Sequence, residues 1–207
     1  MEISNILFIN YYFDLSGLPK ISNLLNPSTE AVVGLERCAS IVEGTNNVYE
    51  TQFFIPLLKI FGNQKLNEDV KIIMDHIKTL CFILAEEKIV PAKNKRGRII
   101  RTLVRELLSS FYILELNVEN YLPKLINRVI SMYKINYPEI QKSENNVLDI
   151  IYSHEKIYKK TLNKGLTELS KLKSVNRKIG KKETIFYWEK YGLPPKLFNK
   201  TVRNNIK

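Results

Sequence analysis

Residues 67–84, NEDVKIIMDHIKTLCFIL, contain the clearest periodic pattern in the chain. Their apolar positions step by three and four residues, a spacing that places them on one face of an α-helix. Asn67 is a predicted N-cap, and Glu68 and Asp69 then put negative charge in the first turn, where the helix dipole favours it. The apolar face is formed by Val70, Ile73, Ile77, Leu80 and Leu84.

The same helical period continues towards the C-terminus. It predicts helices around residues 100–111, 119–134, 146–173 and 182–190, and a short earlier helix over 54–61 with Pro56 in its first turn. Gly192, Pro194 and Pro195 predict the end of the 182–190 helix, and the polar, basic chain after Phe198 is expected to fray.

Towards the N-terminus the pattern changes. Residues 3–15 are dense in Ile, Leu, Phe and Tyr, which predicts a buried strand, and Glu30–Val33 predicts a short second one. Gly34 follows, and then a helix over Leu35–Val42. A turn-rich stretch separates the strands, with Gly17, Pro19, Asn23, Asn26 and Pro27. The predicted fold class is α+β, mostly α, with a domain over 1–47 and a helical domain over 48–207.

Charge is distributed unevenly along the 207 residues. Residues 1–90 hold 7 Lys+Arg and 11 Asp+Glu, whereas residues 91–207 hold 25 and 10. This asymmetry favours a polyanionic partner for the second half, with nucleic acid ahead of an anionic membrane surface. A genome rich in Lys and Asn codons is the alternative explanation, but it does not predict an acidic first half.

Other classes of protein find little support in the sequence. No run reaches the roughly 20 apolar residues of a membrane span, and residues 1–10 do not resemble a secretory signal. Cys38 and Cys81 are isolated and indicate reduced thiols, so we expect a cytoplasmic protein without a membrane partner. His76 and His154 belong to no metal-binding motif, and we predict no metal site and no phosphate-binding glycine loop.

The most concentrated basic segment surrounds the start of the 100–111 helix. Spacings of three and four residues place Arg98, Arg101 and Arg105 on one stripe, away from the apolar face. Arginine forks suit phosphate geometry, so a nucleic-acid surface is favoured over a solvated helix face, which usually mixes charges of both signs. The segment's candidate RNA-binding residues are Lys93, Asn94, Arg96, Arg98, Arg101 and Arg105. The 146–173 helix carries a second, weaker candidate for nucleic-acid binding, formed by Lys156, Lys160, Lys164 and Lys171.

Six segments in order resemble the alanyl-tRNA synthetase family over the middle of that family's chain. They are Glu2–Phe8, Glu30–Arg37 (class II motif 3, in the sequence EAVVGLER), Tyr49–Phe54, Asp75–Phe82, Pro91–Arg105 and Glu183–Pro194. The resemblance implies the C-terminal remnant of a class II antiparallel aminoacylation sheet over 1–47, followed by a helical tRNA-recognition domain. It also implies that motifs 1 and 2, which hold ATP in that family, lie outside the matched region.

Through the resemblance, three residues are candidates for a remnant substrate pocket. Asn5 matches an asparagine lining the family's alanine pocket, and Arg37 matches the arginine that contacts the ATP γ-phosphate. Glu30 replaces the aspartate that binds the alanine ammonium, and Val32 replaces a glycine that approaches adenosine. We therefore expect no catalytic residue that works without a partner, and no cofactor; ATP and Mg²⁺ are expected only if a partner chain completes the site.

The resemblance also points to residues that contact the tRNA acceptor stem. The family reads a G·U wobble pair with an asparagine and an aspartate, and these positions are Lys93 and Glu189 here. Lysine lacks the paired donor and acceptor of an amide, so phosphate binding is expected to survive while discrimination between tRNAs is lost.

Three hypotheses follow from these residues. The first is a protein that binds tRNA without catalysing aminoacylation by itself. The second is one subunit of a split alanine–tRNA ligase that needs a partner chain carrying motifs 1 and 2. The third is a protein-interaction or regulatory paralogue, such as a homodimer formed through an exposed sheet edge.

Overall fold

The computed structural model describes residues 2–14, 16, 20–86, 89–174 and 180–203. These residues form two strands, β1 (Ser4–Asp14) and β2 (Lys20–Val33), eight α-helices and three short 3-10 helices. The α-helices are α1 (Leu35–Val42), α2 (Ile55–Leu58), α3 (Glu68–Glu86), α4 (Lys95–Ile113), α5 (Val118–Tyr133), α6 (Ser143–Ser174), α7 (Lys181–Tyr191) and α8 (Pro195–Arg203). The α+β, mostly α, class is confirmed.

The chain divides into two compact units, residues 1–56 and 57–207. The domain boundary predicted after residue 47 falls inside the first unit. The division after Pro56 falls within the residues of α2.

The first unit is an antiparallel hairpin followed by α1. Ser4 pairs with Val33 and Asp14 with Lys20, but the register shifts between Ile9 and Tyr11. Leu24 to Pro27 lie between the two paired stretches and have no partner in the register. Proline cannot donate to a strand ladder, which accounts for an interruption near Pro27.

The hairpin differs from the predicted strands in length and in burial. β2 begins at Lys20, so Asn23, Asn26 and Pro27, which predicted a turn, lie within the strand; Gly17 and Pro19 lie outside the described residues. The predicted burial of β1 was also wrong, because every residue from Ser4 to Phe13 is exposed. The apolar side chains of both strands that are at least half exposed are Ile6, Leu7, Phe8, Tyr11, Phe13, Ile21, Leu25, Val32 and Val33.

The second unit is a helical bundle arranged around α3, which contacts α4, α5 and α6. Five of the seven core residues of α3 are those of the predicted face, joined by Met74 and Cys81. The Asn67 cap is confirmed: the amide of Val70 donates to its Oδ1 atom at 3.0 Å. Burial raises the pKa of the Cys81 thiol to about 12, which keeps it protonated in the core.

The C-terminal helix α8 corrects the expectation that the chain frays after Phe198. Pro195 occupies the first position of α8, where a proline loses no helical hydrogen bond. Phe198 is 1% exposed and its ring lies 5.4 Å from that of Tyr187 on α7. Residues 204–207 lie outside the described residues.

Candidate nucleic-acid interface

The segment before α4 folds back onto the first turn of that helix. The Ala92 amide donates to the Gly97 carbonyl oxygen at 2.9 Å. A Cβ atom on Gly97 would lie 2.6 Å from the Val90 carbonyl oxygen, so only glycine allows this approach. The contact holds the loop that carries Lys93 and Asn94 against the helix.

Four cations of this region line one cavity of about 240 Å³. Arg98 and Arg101 are exposed on α4, Arg105 is half-buried two turns after Arg98, and Lys93 comes from the preceding loop. Thr102, Glu106 and Trp188 complete the lining. We call Lys93, Arg98, Arg101 and Arg105 the basic surface.

Arg105 is the least exposed of these cations. Its guanidinium carbon lies 4.0 Å from the centre of the Trp188 ring, a cation–π contact that joins α4 to α7. Burial, together with the like charge of Arg101, lowers the pKa of Arg105 from its ordinary value. The side chain remains a cation, because arginine titrates far above neutral pH.

Glu189 lies beside the basic surface on α7. With Arg101 and Arg105 it lines a second cavity, of about 120 Å³, whose walls include His154, Tyr158 and Tyr191. Its negative charge acts on Arg105 and favours the cationic form of that side chain.

Helix α7 is positioned by its packing against α6. A Cβ atom on Gly165 would lie 2.6 Å from the Tyr191 Cβ atom, so glycine permits the two helices to touch. The Tyr158 hydroxyl lies 2.9 Å from Ser109 Oγ and donates to the Gly192 carbonyl oxygen at 3.2 Å. These contacts fix the position of α7, and with it the positions of Trp188 and Glu189 relative to α4.

The structure brings together most of the residues chosen from the sequence. Lys93, Arg98, Arg101 and Arg105 share one cavity, and Glu189 joins the two inner arginines. Asn94 and Arg96 are exposed at the N-terminal end of α4. Their roles in binding stay predictions.

Sequence reasoning missed two residues of the site, Trp188 and Tyr158. The only available signal for Trp188 was its place as the single tryptophan of the chain, next to Glu189. Tyr158 is 8% exposed and lies within the predicted helix over 146–173, where nothing in the sequence indicates its hydrogen bond to Gly192.

The candidate pocket residues of the first unit are arranged differently. Asn5 pairs with Val32 and Leu7 pairs with Glu30, so Asn5 and Glu30 lie on one face of the hairpin, and both are exposed. Arg37 on α1 donates from Nη1 to the Glu2 carbonyl oxygen at 2.9 Å, and its Cδ atom covers Gly34. The contacts of Arg37 tie α1 to the beginning of the hairpin.

The described residues contain no group of three or more His, Cys, Asp and Glu side chains placed to hold a metal ion. None of the helices described has both the length and the apolar character needed to cross a membrane.

Comparison with known proteins identifies the family. Residues 1–206 match the tRNA synthetases of class II (A), and the chain belongs to that family. Within it, the chain is similar to alanine–tRNA ligases: it is 26% identical to that of Thermotoga maritima and 30% identical to those of Mesoplasma florum and Staphylococcus aureus strain JH9.

These alignments cover 94–95% of this chain but 23–24% of the ligases, so the chain spans about a quarter of the length of the curated relatives it matches. It therefore corresponds to one region of an alanyl-tRNA synthetase.

Proposed function

We propose that this protein binds tRNA at the acceptor stem through the basic surface on α4 and does not aminoacylate by itself. The observation that carries the proposal is the cavity lined by Lys93, Arg98, Arg101 and Arg105, in a chain whose relatives are alanine–tRNA ligases. Four cations converge there around the single tryptophan.

The electrostatics of the second unit support an RNA partner. Residues 57–207 hold 30 Lys+Arg and 15 Asp+Glu, whereas residues 1–56 hold 2 and 6. Glu106, the acidic residue in the lining of the larger cavity, is paired with His76 at 2.9 Å. Little negative charge therefore competes with phosphate groups for the arginines.

The proposal includes weak discrimination between tRNAs. Lys93 offers a flexible point charge and no acceptor, so it binds phosphate more readily than it reads a base pair. Glu189 retains a carboxylate, but it lines the smaller cavity together with Arg101 and Arg105. Affinity should depend mainly on charge and little on the identity of the acceptor-stem pair.

The first unit supports the non-catalytic part of the proposal. Amino-acid activation requires cations fixed around the triphosphate of ATP. Residues 1–56 contain only Lys20 and Arg37 as cations, and Arg37 already donates to the Glu2 carbonyl oxygen. These residues therefore do not fit ATP with Mg²⁺.

The test is binding of fluorescently labelled tRNA at several salt concentrations. We expect wild-type affinity to fall steeply with salt, and the Arg98→Gln/Arg101→Gln variant to lower the slope of log K against log salt by about 2, one for each lost phosphate contact. The control variant is Lys124→Gln/Arg128→Gln, which removes two exposed cations from α5. Failure of the wild type to bind tRNA at low salt, or equal losses in both variants, would sink the proposal.

The exposed hairpin favours a second candidate, a subunit of a split alanine–tRNA ligase. Apolar side chains on both faces are typical of strands inside a larger sheet, and Phe8 is 74% exposed here. A partner chain that carries class II motifs 1 and 2 would cover them. Mixing this chain with the N-terminal portion of an alanine–tRNA ligase would restore alanine-dependent pyrophosphate exchange if this candidate is right, and leave it at background if it is wrong.

A further inference from the structure

Two donor atoms of Arg105, Nε and Nη2, are buried. Neither has a hydrogen-bond partner among the residues that the structure describes. Together they form one edge of the guanidinium, the edge that binds two oxygens side by side. We propose that this Arg105 edge is a defined site for a single phosphate group, which the rest of the basic surface attracts but does not itself hold.

The edge is fixed in position before any ligand binds. The guanidinium lies against the Trp188 ring at 4.0 Å, and a Cβ atom on Gly192 would lie 3.4 Å from Nε. A buried donor without an acceptor costs free energy in the folded state, so the molecule carries this cost until an acceptor arrives.

The nearest acidic side chains do not supply that acceptor. Glu106 is hydrogen-bonded to His76 at 2.9 Å, on the side of α4 that faces α3. Glu189 lines the smaller cavity and is exposed, but among the described residues it forms no ion pair with Arg105.

Local charge selects an anion over a neutral acceptor. Lys93, Arg98 and Arg101 line the same cavity as Arg105, and the charge of Arg101 disfavours that of Arg105. A bound phosphate would offset this repulsion and satisfy both donors of the edge at once. RNA as the source of that phosphate rests on the proposed function; the phosphate site itself does not.

Trp188 provides a direct measurement, because it is the only tryptophan in the chain and touches the guanidinium. Its fluorescence would be followed during titration of the 207-residue protein with inorganic phosphate, ribose 5-phosphate and glutamate, with ionic strength held constant by chloride. We expect a saturable change with both phosphates. An absent change would mean that water fills the edge, and stronger binding of glutamate would mean that it takes a carboxylate; either result overturns the inference.

Arg105→Lys keeps the charge but loses the two-donor edge, so we expect phosphate affinity to fall roughly 10-fold or more. The matched control is Arg128→Lys, the same change at an exposed position of α5, which should bind phosphate as the wild type does. Equal affinity in Arg105→Lys and wild type would show that charge alone binds phosphate and would overturn the inference.

A measurement on the wild type covers the case in which Arg105→Lys does not fold. The arginine Nε–H resonances can be followed by NMR during the phosphate titration, and one of them should shift with the same midpoint as the fluorescence. A set of Nε–H resonances that phosphate leaves unchanged would also overturn the inference.

The tRNA-binding assay separates the two proposals. Salt-dependent tRNA binding without a phosphate response of Trp188 would remove the Arg105 site and leave the proposed function intact. A saturable phosphate response without tRNA binding would leave the site intact and remove its assignment to RNA.

Discussion

His76 joins two helices of the second unit through charged partners. Its Nε2 atom lies 2.9 Å from Glu106 Oε2 on α4 and its Nδ1 atom 3.3 Å from Asp75 Oδ2, while the side chain is only 12% exposed. Burial lowers the pKa of His76, but the hydrogen bonds and charges of Asp75 and Glu106 outweigh it, and the net pKa is raised above 6.5. The imidazolium is therefore favoured in the folded state.

The raised pKa predicts how stability depends on pH. A pKa raised by folding contributes stability that is fully present below the unfolded pKa, about 6.5, and is lost as pH rises through the folded pKa. The wild type should have a higher free energy of unfolding than His76→Gln. This difference should be largest near pH 5.5 and should shrink above pH about 6.5. Urea unfolding of both proteins from pH 5 to 8 measures this.

The only other histidine provides the control. His154→Gln leaves the pair between His76 and Glu106 in place, so the pH-dependent loss should persist in that variant. A stability difference between wild type and His76→Gln that stays constant from pH 5 to 8 would contradict the charge argument.

Gly97 lies at a position where a larger side chain does not fit. An alanine there would bring Cβ to 2.6 Å from the Val90 carbonyl oxygen and 2.7 Å from the Ala92 Cβ atom, so the loop must move. We expect Gly97→Ala to cost about 1–3 kcal/mol of stability, as overpacked sites do, and to weaken tRNA binding by displacing Lys93. Thermal unfolding and tRNA titration measure the two effects.

Ile99→Ala is the matched control for Gly97→Ala, because Ile99 is 58% exposed on the same helix. Its cost should stay within about 0.5 kcal/mol. Equal losses of stability in the two variants would show that the loop yields to the added methyl group.

At the scale of elements, α8 is attached to the bundle in two ways. Phe198 is buried to 1% exposure, whereas Lys196 is 48% exposed and pairs with Glu68 at 2.7 Å and Asp69 at 3.1 Å on α3. Lys196 keeps about half of its side chain in water although Asp69 is buried, and ion pairs screened by water contribute about 0.2–1 kcal/mol. Truncating a buried phenylalanine costs about 3–5 kcal/mol. Chemical unfolding should therefore show that Phe198→Ala lowers the free energy of unfolding far more than Lys196→Met does. The reverse order would mean that ion pairs, and not the buried ring, hold α8 against the bundle.

The elements also show where sequence reasoning succeeds. The helices of the second unit bury one face each, so a period of three and four residues identified α3 and its cap at Asn67. The strand β2 was harder, because Asn26 and Pro27 interrupt the pairing without ending the strand. Pro195 ended one predicted helix, whereas in the structure it begins the next, since a proline suits either position.

In the candidate site, too, the sequence predicted one part of the arrangement and not the other. The stripe of Arg98, Arg101 and Arg105 followed from helical spacing, because those residues share one helix. The contact between Arg105 and Trp188 joins residues far apart in sequence, and their meeting depends on how α6 and α7 pack around Gly165 and Gly192. No local pattern records that packing, so the structure was needed to find the Arg105 edge.

For the whole molecule, the two predicted domains differ in charge and in exposed apolar surface. Residues 1–47 hold 2 Lys+Arg and 5 Asp+Glu, whereas residues 48–207 hold 30 and 16. The hairpin exposes apolar side chains such as Phe8 and Leu25, which favours association through the strands. The buried core of the helical unit, by contrast, begins at Leu57.

We therefore expect the segment 48–207, produced alone, to unfold cooperatively at about the temperature of the second unit in the full chain. It should bind tRNA at least as tightly as the full chain, because its net charge rises from +11 to +14 when residues 1–47 are removed. It should also lose any concentration-dependent self-association of the full chain, since the exposed strands are gone. Calorimetry, tRNA titration and sedimentation measure these three properties. A segment that fails to unfold cooperatively would show that the helical core depends on residues 1–47, whereas a stable segment that no longer binds tRNA would assign RNA binding to the first domain.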